Sequence, residues 1–149
     1  YFCNKLWNIT RFVLASADPS SPGEGRMPAG QEKLQPITDA DRDIFAKLNA
    51  TIKSVTKDLE AFRLHEAAQE IYQFVWHEFA DVYIEQSKKQ LADEKLKKST
   101  YYLLLTTLTA YLKLLHPFMP FITEHIWGML KENKLVEDKL LIVAKWPKS

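Results

Sequence analysis

The chain reads as all-α, an antiparallel bundle of about five helices joined by short turns, and three observations lead there. Apolar residues recur at steps of three and four through most of its 149 residues, the period of a helix with one buried face. Three of the four glycines and four of the seven prolines fall between Pro19 and Pro36, so the chain-breaking residues are confined to one stretch. No β-prone run precedes Leu140–Ala144.

The first helix sets Leu6, Ile9 and Val13 on one face, with Phe2 and Trp7 beside it. Residues 18–37 read as a long irregular loop. Thr38 or Asp39 caps a second helix, whose apolar positions are Ile44, Leu48, Ile52, Val55 and Leu59. After a link at Ala61–Arg63, the spacing predicts a third helix with Leu64, Ala67, Ala68, Ile71, Phe74, Val75, Phe79 and Val82 inward. The fourth, from near Ser99, is apolar almost all round, as a helix buried on several sides must be. Its charge-free run from Tyr101 to Leu112 stops at Lys113 and Pro117, short of the roughly 20 residues that a membrane span needs, so no membrane association is expected. Pro117 ends that helix, and Pro120 suits the first turn of a fifth. Residues 135–149 read as a partly extended C-terminal extension, in which Leu140–Ala144 pairs or lies extended, and 1–149 as a single domain.

A net charge of +1 conceals an uneven distribution. Residues 58–85 carry seven acids against Arg63, whereas residues 86–98 carry Lys88, Lys89, Lys95, Lys97 and Lys98 against Asp93 and Glu94. Such polarity permits local binding of a polyanion, since steering follows the local field; a solvated lysine-rich helix end gives the same pattern. The lone cysteine, Cys3, excludes an internal disulfide and suits a reducing cytoplasm; on an apolar helix it reads as a small core residue. His65-Glu66 and His77-Glu78 do not extend to a zinc-binding HExxH, because Gln69 and Asp81 stand where the second histidine belongs, and no metal site is expected. No glycine-rich phosphate loop follows a strand, and no nucleophile has a base at recognisable spacing, so no catalytic residue is assigned.

On the first helix Asn4, Asn8 and Arg11 follow offsets i, i+4 and i+7 and so share a stripe. Two amides and a guanidinium there offer donors and acceptors to a base edge and a phosphate; the same stripe also serves as an ordinary solvated face. The wording around it, FCNKLWN followed by RFVL, resembles the opening helix of the anticodon-binding domain in valyl-tRNA synthetases. Three further blocks are similar to that family in order and spacing: Phe62–Ala68 (FRLHEAA), Trp76–Glu85 (WHEFADVYIE) and His116–Trp127 (HPFMPFITEHIW).

The resemblance implies a domain that holds the anticodon stem-loop of tRNA(Val), with Asn4, Asn8, Arg11, Lys88 and Lys89 as RNA-binding candidates. It implies a longer parent whose catalytic and C-terminal domains are further partners, working in the cytoplasm. The HIGH and KMSKS signatures of the family's catalytic half are absent, so ATP and Mg belong to that parent and no cofactor is expected here. In methionyl relatives of the family a tryptophan stacks on a base at the end of the third helix; Gln86–Gln90 here holds no aromatic, and Lys88 and Lys89 would supply charge instead. Trp7 and Trp76 are expected as core anchors, and Asp81 as a buried acid seeking Lys5 or Arg11. Two rivals stand: the same module from an isoleucyl, leucyl or methionyl enzyme, and a helical protein-interaction module using the acidic face without RNA.

Overall fold

The computed structural model describes residues 1–17 and 36–149, and all its regular structure there is helical. Most of the expected loop, residues 18–35, lies outside the described residues. The elements are α1 (Phe2–Ala15), α2 (Asp39–Glu60), α3 (Leu64–Gln73), a π-helical segment (Phe74–Tyr83), α4 (Ile84–Leu91), α5 (Glu94–Leu115) and α6 (Pro120–Glu132). Because α3, the π segment and α4 follow without a break, they make one rod, and the bundle has the five rods that the periodicity predicts. α5 is the central rod: Tyr101, Leu103, Leu104, Leu105, Leu108, Tyr111, Leu112 and Leu115 are all buried. None of the described helices is long and apolar enough to cross a membrane.

Local chemistry sets the ends. Thr38 caps α2: its hydroxyl accepts from the Asp41 amide at 3.1 Å, and Asp41 Oδ2 accepts back from the Thr38 amide at 3.2 Å, a capping box. α2 stops where Phe62 turns left-handed, φ 58°, so that the Arg63 amide reaches Asp58 O at 2.8 Å and the Phe62 amide reaches Leu59 O at 3.1 Å. Lys134, also at φ 58°, closes α6 by the same device, with Leu135 N donating to Leu130 O at 2.9 Å. Pro120 occupies the first turn of α6 as expected.

The third rod departs from the simple 3.6 period. Across the π segment the backbone bond runs to the fifth residue back, as from Ile84 N to Phe79 O, and each residue turns through a smaller angle than in an α-helix. The phase therefore slips: Tyr83 goes fully inside, and Val82, expected inside, stands 44% exposed. Leu64, also expected inside, is exposed at the rod's first residue, where no preceding turn covers it.

The C-terminal stretch forms no strand pair. Leu141–Val143 is a single 3₁₀ turn between extended residues Leu140 and Ala144. Glu124 of α6 takes the place of a strand partner, accepting from the amides of Leu141 at 2.8 Å and Ile142 at 3.3 Å.

Candidate nucleic-acid interface

Aromatic clips on both flanks set the rotation of α1. On one side Phe2 meets Tyr72 and Trp76 with ring centroids 5.2 and 6.2 Å apart; on the other, Trp7 stacks on His125 at 5.7 Å. Trp7 and Trp76 are thus half-buried edge contacts, not the core anchors expected of them; the deep tryptophan is Trp127, whose Nε1 donates to Asp138 O at 3.0 Å. Lys5 lies 4.2 Å above the Trp76 ring and bonds Asp81 at 2.5 Å, joining α1 to the π segment. Asp81 is exposed, not buried as expected, because the π phase carries it to the rod's outer face. The Lys5 hydrogen bond holds its carboxyl below the ordinary range.

With Leu6, Ile9, Thr10 and Val13 sealed inside, the opposite face of α1 turns outward. Asn4, Asn8 and Arg11 are exposed along it, as is Cys3, which had read as a core residue. Asp81 has taken Lys5, and among the described residues no side-chain hydrogen bond or ion pair engages Asn4, Asn8 or Arg11.

The stripe leads towards a cleft of about 430 Å³ at the end of the bundle. Phe12, Ser16 and Ala17 line it from α1 and the turn beyond, Lys88 and Leu91 from α4, and Lys97 from α5. The structure thus brings Lys88 to the same end as the neighbour of Arg11, whereas Lys89 is exposed but outside the cleft wall. Lys88 is 2.5 Å from Glu85, so part of its charge is answered within the rod. Both lysines stand in the last turn of α4, where cations also offset the negative end of the helix dipole. Sequence reasoning missed Phe12 and Lys97 as wall residues. Phe12 follows Asn8 by four positions, which puts it at the border of the stripe, a signal available beforehand.

Donors and acceptors along α1, with a half-buried ring and lysines at its C-terminal end, suit an unstacked nucleotide strand better than covalent chemistry. Among the described residues no group of three or more His, Cys, Asp or Glu is placed to hold a metal.

A family model described as the anticodon-binding domain of tRNA ligase matches residues 41–149. The chain belongs to that family. It is also 45% identical over 99% of its length to the valine–tRNA ligase of Carboxydothermus hydrogenoformans, 39% over 99% to that of Thermosynechococcus vestitus, and 42% over 98% to that of Clostridium tetani. The chain spans about 16% of the length of these curated relatives. In this anticodon-binding domain the family match begins inside α2, so α1 and its stripe are reached by the whole-chain similarities and not by the family model.

Proposed function

We propose that this domain grips the anticodon stem-loop of tRNA(Val) and positions that tRNA for ATP-dependent aminoacylation by the catalytic part of a longer valine–tRNA ligase. The observation that carries the reading is the stripe Asn4, Asn8 and Arg11, exposed and unengaged among the described residues, leading to a cleft with Phe12 and Lys88 in its wall. Asparagine amides both donate and accept, and so read base edges; the Arg11 fork reaches a base and a phosphate together. Lys88 and Lys89 supply charge to the backbone. The domain itself moves no proton and forms no bond. ATP and magnesium act elsewhere in the parent, whose catalytic and C-terminal domains share the tRNA, and a cytoplasmic setting goes with this reading.

The deciding experiment titrates the chain with stem-loops identical except at the anticodon. Binding confined to valine anticodons is expected, with log K falling against log salt at a slope of roughly −3 for ~4 neutralised phosphates. Preference for an isoleucine, leucine or methionine anticodon would assign the module to another synthetase. Binding without salt dependence, or none, would leave the acidic face and a protein partner.

A further inference from the structure

The cap of α2 and the rod that carries the lysines share a buried polar network remote from the exposed stripe. Tyr83, the last π residue, donates from its hydroxyl to Asp41 Oδ1 at 2.9 Å. Asp41 is 1% exposed, and its other oxygen accepts from the amides of Ile37 and Thr38. Seven residues further along the rod, buried Gln90 donates from Nε2 to Thr38 Oγ1 at 2.7 Å and accepts from Thr100 Oγ1 at 2.9 Å. Burial, and then the Asp41 carboxylate beside it, push the Tyr83 phenol well above its ordinary range, so it stays a donor.

Three features make this more than packing. An apolar side chain at position 90 would fill the same space without needing two partners, and buried polar groups cost stability unless fully satisfied. The two anchors are seven residues apart, so both face the same cap and fix one rotation of the helix between them. That helix follows a ten-residue π segment, whose altered phase leaves rotation unset by the 3.6 period alone. Lys88 and Lys89 stand between the two anchors and have no choice of direction once these engage.

We propose that Tyr83 and Gln90 are positioning residues for the RNA surface: hung on the Thr38–Asp41 cap, they index the rod so that Lys88 enters the cleft beside Phe12 and Lys89 meets solvent. The proposal rests on the reading of this end as the RNA site.

The test compares the 149-residue chain with Gln90→Leu and Tyr83→Phe, alone and in a Lys88→Ala/Lys89→Ala background. In free protein, amide exchange over residues 84–92 should quicken ~10-fold in Gln90→Leu, as one buried hydrogen-bond pair is lost, while exchange in α6 stays unchanged. Affinity for the valine stem-loop should fall ~5-fold or more, with a shallower salt slope. The same Gln90→Leu change should cost nothing further once both lysines are gone, because it acts only through them. Unchanged exchange over 84–92, or an equal loss of affinity with and without the lysines, overturns the proposal. Removal of both lysines without effect on the parent's binding would instead refute the RNA reading of this end, while the exchange measurement still decides whether Gln90 indexes the rod. Tyr83→Phe keeps the ring and its packing, so it reports on the hydroxyl even if Gln90→Leu unfolds.

Discussion

α5 and α1 are built from similar apolar residues yet are used in opposite ways. Every large side chain of α5 from Tyr101 to Leu115, Tyr102 and Lys113 apart, is buried. On α1 the inner residues are as deeply buried, but Asn4, Asn8 and Arg11 are left exposed, with no side-chain partner among the described residues. Residues committed to packing report on the fold, and residues that the fold leaves uncommitted are where binding has to be sought.

The largest expected effect lies on α5. Leu104→Ala removes a wholly buried side chain from the central rod and should cost about 3 kcal/mol in urea unfolding, transfer and cavity combined. A loss below about 1 kcal/mol would mean that the core collapses around the gap, and α5 would not be the immovable reference it is taken for.

Next comes its counterpart on α1. Arg11→Ala should weaken binding of the valine stem-loop by ~1–3 kcal/mol while the melting temperature stays put. Loss of stability with binding intact would turn the stripe into an ordinary structural face and erase the contrast between the two rods.

How much of this was legible beforehand divides along the same line. α5 announces itself, because Leu103, Leu104, Leu105 and Leu108 leave no polar face; residue type limits the α2 cap to Thr38 or Asp39, and the structure chooses Thr38, with Asp41 completing the box. Beyond Phe79 the third rod departs from the phase that a 3.6 period predicts, because nothing in FVWHEFADVY signals a π segment. Val82 and Asp81 were misplaced for that reason. Residues 58–98 show their charge blocks plainly, and the i,i+3 spacing of Glu85 and Lys88 allows their pairing, but the pattern leaves open whether Asp81 takes Lys5 or Arg11. That choice depends on how α1 packs beside the rod, which no period encodes.

α5 also carries a flaw that sharpens the comparison. The hydroxyl of Tyr111 is fully buried and has no hydrogen-bond partner among the described residues. Burial drives its phenol well above the ordinary range, so it never ionises to seek one. Tyr111→Phe should therefore leave stability unchanged or raise it by up to about 1 kcal/mol, since no bond is lost and a desolvated hydroxyl is removed. A clear loss in the same unfolding assay would mean that the hydroxyl is in fact engaged.

The smallest effect belongs to the link between α1 and the π segment. Lys5 holds the Asp81 carboxyl below its ordinary range, so the folded state binds that proton more weakly than the unfolded chain does. The sign follows: the stabilisation is fully present above the usual carboxylate range and disappears as pH falls through the lowered folded value. Asp81→Asn keeps the shape and leaves Lys5 over the Trp76 ring, so only the ionic part is removed. Thermal melts of parent and variant should differ slightly near neutrality, with the parent higher, and converge as pH falls through the lowered folded value and Asp81 becomes as uncharged as the asparagine. The gap should also narrow in high salt, because the pair is exposed. A gap that persists in acid would mean that Asp81 holds α1 by packing, and the outer edge of α1 would then resemble α5 more than its exposed face suggests.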